Sequence, residues 1–375
     1  MDLAVIWFIA ISVLWIGYFV LEGFDFGVGT LLPFMGKRDS VDRRVTINSI
    51  GPVWDANEVW LLTAGGAMFA AFPAWYASLF SGFYIPLFLI LIALILRGVA
   101  FEYRGKRDDS TWRLWWDRAI FFGSAAPALL WGVAFANIVQ GVAMDSDHIV
   151  TASLVDLLNP YALLGGLTTL SLFTLHGAVF LSLKTDGPVR VRARTAALRT
   201  AYVAVPAGAA FLTWTQLAHG KAWTWPLVLI AAATLVGGVA AVRARREGLA
   251  FGLMVATIVS AVVTLFGSLF PNVLPSITDP AFSLTVENAS SADYTLTVMT
   301  WVAVVFLPLV LVYQGWSYWV FRKRVTGATI TGETVTGDTA GAETSARGDI
   351  VIPEVTTAEG TTGTRRAATE DTVDT

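Results

Sequence analysis

Long apolar stretches constrain the fold of this chain more than any other feature. A helix that crosses a bilayer needs about 20 predominantly apolar residues, because lipid offers no partner to an unpaired backbone group. The sequence holds nine such stretches, at residues 3–27, 51–73, 79–101, 119–142, 160–182, 200–218, 223–242, 249–270 and 295–320. The first has no preceding basic residue and no small-residue cleavage site before its acidic end, so we interpret it as a span rather than a cleaved signal peptide. The fold predicted is an all-α, polytopic integral membrane bundle with nine transmembrane helices.

Composition excludes several other classes of protein. Only 14% of the residues are charged, whereas soluble domains carry about 25%, so a cytosolic globular enzyme is excluded. The net charge of −3 is too small to indicate a nucleic-acid partner. The absence of cysteine excludes disulfides, thiolate metal sites and iron–sulfur clusters held by this chain.

Basic residues alternate from loop to loop. Of the 25 Lys and Arg residues, 20 lie in the first, third, fifth and seventh loops or directly after the ninth span. Because positive charge is retained on the cytoplasmic side, this pattern predicts an outside N-terminus and a cytoplasmic C-terminus. The predicted location is therefore a cell membrane, crossed many times.

Two regions of different composition are expected. Residues 1–324 form the transmembrane domain, which we expect to contain two four-helix bundles and a ninth helix. From Val325 the sequence is rich in Thr, Gly, Ala and acids, with nine acids and three arginines up to residue 375. This composition predicts a disordered, acidic cytoplasmic tail over residues 325–375.

Ionisable side chains inside spans mark the candidate site, because each costs about 2.5–3.5 kcal/mol at the centre of a spanning helix. Those found here are Glu22, Asp25, Asp55, Glu58, Arg97, Glu102 and His176. Spans 1 and 3 end, and span 2 begins, on the predicted cytoplasmic side. Asp25, Asp55 and Glu102 are therefore expected at one level on that side, an arrangement that suits proton collection.

Structural roles are the alternative for these acids. Asp55 and Glu58 lie near a helix N-terminus, where they could simply complement the helix dipole. The acids that end spans 1 and 3 could form structural ion pairs with Arg97 or Arg104. Neither alternative is excluded by spacing alone.

His176 is the only histidine in a span. One histidine cannot form a bis-histidine haem site, and we interpret it as a packing or hydrogen-bonding residue, with a haem ligand as the alternative. The chain is poorly equipped to hold redox centres or metals by itself.

Several motifs resemble subunit II of the cytochrome bd quinol oxidases. They occur in order between residues 1 and 324. The motifs are GFDFGVG, INSIGPVWDANEVWLLTAGGAMFAAFP, SGFYIPL, RGVAFEYR, WGVAFANIVQGV, LFPNVLPS and VMTWVAVVFLPLVLVYQGWSYW. The resemblance covers the whole chain except the acidic tail.

The resemblance implies a function that composition does not reach. Cytochrome bd is a bacterial terminal oxidase that oxidises quinol and reduces oxygen to water with protons from the cytoplasm. In that family haem b and haem d belong to subunit I, so no cofactor is expected on this chain. The implied partners are subunit I, membrane lipids and, as a further candidate, a small accessory membrane subunit.

The resemblance also implies roles for individual residues. The acid of the WDxN motif, assigned in the family to a proton path, is Asp55 here. Asp25 and Glu102 match the acids of the GFD and F-acid-YR motifs and are assigned to proton transfer. Trp54 and Asn57 are expected to support the path, as is Glu58, where relatives can carry Gln.

A proton-coupled transporter is the alternative function. Its site would lie at the membrane midplane on broken helices between inverted repeats. The acids here are expected at one boundary and no inverted repeat is visible, so the sequence favours the oxidase subunit.

Overall fold

The computed structural model describes residues 2–332, and nearly all of them lie in helices or short connections. Twelve α-helices are present in this range: α1 Leu3–Leu31, α2 Val41–Ile50, α3 Trp54–Ala71, α4 Pro73–Gly82, α5 Tyr84–Tyr103, α6 Ser110–Gln140, α7 Pro160–Lys184, α8 Gly187–Ala218, α9 Trp225–Arg243, α10 Glu247–Leu269, α11 Asp293–Val320 and α12 Gly327–Thr331. Two short antiparallel strands, β1 Asn272–Leu274 and β2 Leu284–Thr285, lie between α10 and α11. The all-α prediction is confirmed.

Eight of these helices, α1 and α5 to α11, are long and apolar enough to cross a membrane. The second predicted span forms α3, which has 18 residues and carries Asp55, Asn57 and Glu58 in its first two turns. Those polar residues lower its mean hydropathy below that of the other eight. The count of nine spans and the orientation of the termini stay predictions.

Several helices begin earlier than hydropathy indicates. The sixth span was expected to start at residue 200, but α8 starts at Gly187, where the Asp186 side chain accepts a hydrogen bond from the Gly187 amide at 2.9 Å. Likewise α6 starts at Ser110, capped by Asp109. Charged helical turns that project beyond the apolar stretch are invisible to a hydropathy window, because capping rather than burial sets where they start.

Helix α1 lies at the centre of the bundle and packs against α3, α6, α7 and α10. Its approach to α7 is close because glycines face each other: a Cβ built on Gly27 would lie 2.8 Å from the backbone nitrogen of Gly177. Small residues allow such backbone contact between membrane helices. Elsewhere on α1, the Tyr18 hydroxyl accepts a hydrogen bond from the Trp131 indole N–H at 3.1 Å within an aromatic core.

A short ordered segment follows α11, and we call residues 321–332 the C-terminal strap. The Val325 amide donates to the Lys184 carbonyl at 2.9 Å, and the Asp186 amide donates to the Val325 carbonyl at 3.3 Å. Ile330 in α12 is buried, and α12 contacts α2. The tail was expected to begin at residue 325; these backbone bonds and one apolar contact hold residues 325–332 against the bundle, and the division of the chain into two regions stays a prediction. The remainder of the predicted tail, 333–375, lies outside the described residues.

Candidate functional site

A group of polar side chains is buried where α1, α3 and α5 meet. It lies near the end of the bundle that carries the basic loops after α1, α5, α7 and α9, which we call the arginine-rich end. We call the group the carboxylate cluster; its members are Glu22, Asp25, Asn57, Glu58 and Arg97. All have 0% exposure except Glu58, whose side chain is 21% exposed. Buried ionisable groups at this density are costly and need specific partners.

An ion pair forms one half of the cluster. The Arg97 Nη2 atom pairs with Glu22 Oε1 and lies 3.5 Å from Glu58 Oε2. Its guanidinium carbon lies 4.7 Å from the ring centroid of Phe26, so the charge also rests on an aromatic face. Because removing one partner of a buried pair leaves an uncompensated charge, Arg97 fixes α1, α3 and α5 relative to each other.

A hydrogen-bonded chain forms the other half. Asn57 Nδ2 donates to Asp25 Oδ2 at 2.6 Å. Asn57 Oδ1 in turn accepts from the Tyr318 hydroxyl at 2.8 Å and from Gln314 Nε2 at 3.1 Å. Asp25 of α1 is thereby connected through α3 to α11.

Two carboxylate oxygens and part of the guanidinium are buried without a hydrogen-bond partner among residues 2–332. These atoms are Glu22 Oε2, Asp25 Oδ1, Arg97 Nε and Arg97 Nη1. Buried polar atoms in proteins are normally bonded to protein or water. With three carboxyl groups and one guanidinium, the cluster has the acceptor capacity to take up a proton.

The structure places the sequence-predicted site residues in two groups. Asp25, Asn57 and Glu58 belong to the carboxylate cluster, whereas Asp55 and Glu102 are exposed on the outer surface of this chain. Residues two apart on a helix point in different directions, so Asp55 faces outward when Asn57 faces inward. Of the three acids expected at one level, Asp25 is thus buried while Asp55 and Glu102 are exposed, and their roles in proton transfer stay predictions. Trp54 packs on the Phe101 ring with a centroid separation of 5.0 Å.

The structural alternative for the arginines is partly met, with other partners. Arg97 pairs with Glu22 and Glu58. Arg104 Nε lies 2.6 Å from Asp117 Oδ1. Neither arginine forms these ion pairs with Asp25 or Glu102.

Sequence reasoning assigned no role to Glu22, Gln314 or Tyr318. It considered Arg97 only as a partner of the acids that end spans 1 and 3. A signal existed for Glu22 and Arg97: Glu22 precedes Asp25 by three residues, and Arg97 is the one arginine inside a predicted span. A lone charge in a span requires a partner of opposite sign, so the ion pair between Arg97 and Glu22 could have been proposed from the sequence. Gln314 and Tyr318 gave no comparable signal, because they could equally have faced lipid.

His176 packs and bonds as interpreted. Its Nε2 atom lies 3.0 Å from the Val20 carbonyl oxygen, and its ring stacks on Phe251 with centroids 5.0 Å apart. Among residues 2–332 no group of three or more His, Asp or Glu side chains could hold a metal ion. This environment does not fit an axial haem ligand: Nε2 is engaged by the Val20 carbonyl, and Nδ1, although without a partner among residues 2–332, belongs to a ring that is 0% exposed between Phe24 and Phe251.

The fold and the site define the class: a polytopic helical membrane protein with a buried ionisable cluster. The family model described as "Cytochrome bd terminal oxidase subunit II" matches residues 3–321. The chain belongs to this family.

Named relatives and one solved structure agree. "Cytochrome bd ubiquinol oxidase subunit 2" of Bacillus subtilis is 45% identical over 326 residues, which cover 86% of this chain and 96% of the relative. "Cytochrome bd-I ubiquinol oxidase subunit 2" of Escherichia coli K12 is 36% identical, with 86% and 94% covered. A chain of "The structure of bd oxidase from Geobacillus thermodenitrificans" has the same fold, with a TM-score of 0.71, 18% identity, and 86% and 100% covered.

Family membership decides between the two functions that the sequence left open. The protein is a subunit of a cytochrome bd quinol oxidase, a terminal oxidase of the bacterial membrane that reduces oxygen. It therefore works in a complex with subunit I, and the complex as a whole carries haem and uses quinol.

Proposed function

We propose that this chain carries protons from the cytoplasmic side, through the carboxylate cluster, toward the oxygen-reducing haem of subunit I. The observation that carries the proposal is Asp25, whose Oδ1 atom is buried without a partner while Oδ2 is held by Asn57. Asn57 thus fixes the carboxyl group and leaves Oδ1 as the atom that takes up and releases a proton. Haem b and haem d are placed on subunit I in this proposal, in keeping with the poor fit of His176 to a haem.

Asp55 and Glu102 provide the outer part of the path. Both are exposed on this chain, at the two helices that also carry Asn57 and Arg97. Carboxylates at a surface exchange protons quickly with water and raise the local proton supply to a buried acceptor. Protons would pass from these acids to the carboxylate cluster through water or neighbouring polar groups.

Assembly with subunit I is the second part of the proposed function. Of the 28 residues of α11, only Leu296 is buried within residues 2–332. The same helix carries Gln314 and Tyr318, which bond to Asn57 of the carboxylate cluster. On α3, Leu62 is 73% exposed and Phe69 is 61% exposed. We therefore place subunit I on the face formed by α3, α5 and α11, where it would enclose the path and leave Asp55 and Glu102 at its cytoplasmic opening.

Asp25→Asn tests the proton path. The amide keeps the size of the carboxyl and can still accept from Asn57, but it cannot ionise. Quinol-driven oxygen consumption by the purified complex should fall by about tenfold or more, since acid–base groups typically contribute about 10²–10⁴. Haem content should stay unchanged. Asp145→Asn, in an exposed loop, is the matched control and should be fully active; full activity in Asp25→Asn would remove this residue from any obligatory path.

Gly66→Trp tests the face for subunit I. A Cβ at Gly66 would have nothing within 4 Å in this chain, so the substitution leaves the fold of the subunit intact. We expect this chain to reach the membrane at normal levels but to lose most co-purifying subunit I. Gly252→Trp on α10, equally open, should co-purify normally. Equal recovery of subunit I with both variants would place the interface elsewhere.

A further inference from the structure

A groove runs along the outer side of α8 and α9, on helices other than those of the carboxylate cluster. Its volume is ≈ 580 Å³, and it is lined by Val205, Val236, Val239, Ala240, Arg243 and Ala244. Every lining side chain except Arg243 is apolar. Arg243 is therefore the single cation of an otherwise apolar groove.

Helix spacing sets the order of these residues along the groove. On α9, Val236, Ala240 and Arg243 follow at intervals of four and three, so they form one stripe that ends at the last residue of the helix. The seven steps from Val236 to Arg243 rise about 10 Å along the axis. The groove thus runs from the apolar side chain of Val236 to the charged C-terminal end of α9 at Arg243.

Helix α8 supplies a matching stripe. Tyr202 and Arg199 precede Val205 by three and six residues, and both are exposed. Because α8 begins, and α9 ends, at the arginine-rich end of the bundle, Arg199 and Arg243 lie at the same end of the two helices. Tyr202 is 79% exposed between the apolar and charged levels, where aromatic rings favour the membrane interface.

These two arginines have no acidic partner among residues 2–332, in contrast to three arginines near the start of α8. Arg190 and Arg194 pair with Glu247, and Arg192 pairs with Asp42. Neither Arg199 nor Arg243 forms an ion pair or side-chain hydrogen bond within the part of the chain that the structure describes. Guanidinium groups bind phosphate through two parallel hydrogen bonds, so their preferred counter-ion here is a phosphate.

We propose that the α8–α9 groove is a binding site for an anionic phospholipid. One acyl chain lies against Val205, Val236 and Val239, and the phosphate binds Arg243 with Arg199 beside it. Charge complementarity selects an anionic lipid over a zwitterionic one, and the apolar lining selects a lipid over free phosphate. The predicted cytoplasmic side, which this end faces, is the leaflet side where basic residues attract anionic headgroups.

Native mass spectrometry of the intact oxidase complex tests the site. The solubilised complex is exchanged into phosphatidylglycerol or phosphatidylcholine, and retained lipid is counted as detergent is raised. Arg243→Gln should lower phosphatidylglycerol retention about fivefold, the effect of one interfacial arginine. Arg118→Gln, an exposed arginine stacked on Trp115, is the matched control and should retain the lipid as the parent does.

A second pair of variants tests the groove itself. Ala240→Trp fills the groove and should abolish the retained lipid, whereas Gly252→Trp, on α10, where a Cβ has nothing within 4 Å, should leave it unchanged. Three results would overturn the proposal: parental retention in Arg243→Gln, equal retention of phosphatidylcholine, or displacement of the lipid by inorganic phosphate alone. The last would define a phosphate site without an acyl-chain groove.

Discussion

Asp55 and Asn57 are two residues apart on α3, and this spacing separates their roles. Asn57 is fully buried and holds Asp25, whereas Asp55 is exposed in the first turn. No side chain caps the N-terminus of α3, where Val53 stands at the cap position. Asp55 is therefore available either as a proton-exchanging acid or as a complement to the helix dipole.

Asp55→Asn separates these two roles. Asn cannot ionise, so it removes proton exchange, whereas loss of the charge that complements the dipole costs only about 0.3–1 kcal/mol of stability and leaves turnover unchanged. As an outer acid of the proton path, Asp55 should give a variant with normal haem content and quinol-driven oxygen consumption lowered by about tenfold or more. Steady-state oxygen consumption on the purified complex measures this. Near-normal turnover would assign Asp55 to the dipole alone.

At the scale of single residues, the sequence identified most of the site but not its geometry. The motif resemblance singled out Asp25 and Asn57, and the cost of charge in a span singled out Glu58. The outward directions of Asp55 and Glu102 could not be predicted, because a helix that packs in its own bundle and also faces a partner subunit or lipid has more than one apolar face. For the same reason Tyr318, on the largely exposed α11, could not be connected to Asn57.

Among the elements, α11 depends on the C-terminal strap. The helix has few contacts with the bundle, mainly to α1 and α3, and the strap binds its C-terminal end to the turn between α7 and α8. Lys184 also donates to the Phe321 carbonyl, next to the end of α11. The strap thereby holds in place the helix that carries Gln314 and Tyr318.

Two truncations, one directly after the strap and one within it, check its role. A chain that ends at Gly332 should assemble and consume oxygen normally, because the composition of residues 333–375, rich in Thr, Gly, Ala and acids, predicts no packed element there. A chain that ends at Arg324 loses the Val325 backbone bonds and buried Ile330, whose burial contributes about 2 kcal/mol. Thermal unfolding of the purified complex should show a lower midpoint for the shorter chain only. Identical midpoints would show that the strap is dispensable.

Helix existence was predictable from the sequence and helix length was not. Apolar stretches located every long helix, since burial in lipid requires them. The extra turns of α6 and α8 and the whole of α2 are amphipathic or charged. They are stabilised by caps at Asp109, Asp186 and Ser40 and by ion pairs between elements. Those partners come together only in the folded bundle.

On the scale of the whole molecule, the two sides of the subunit differ in how many apolar and acidic side chains they expose. One side is closed around α1, with α7 packed against it through facing glycines. The other side, formed by α3, α5 and α11, leaves large apolar side chains and two acids exposed. The carboxylate cluster lies just beneath this open side, so its protons can reach a partner without crossing the bundle.

Time-resolved proton uptake in the purified, fully reduced complex tests the proton path most directly. After mixing with oxygen, a pH-sensitive dye reports protons taken from solution while absorbance reports the haem. For Asp25→Asn we predict that the haem reacts with oxygen at the parental rate, while proton uptake is slowed by about tenfold or more. Parental proton uptake in Asp25→Asn, with the same haem kinetics, would contradict proton delivery through the carboxylate cluster.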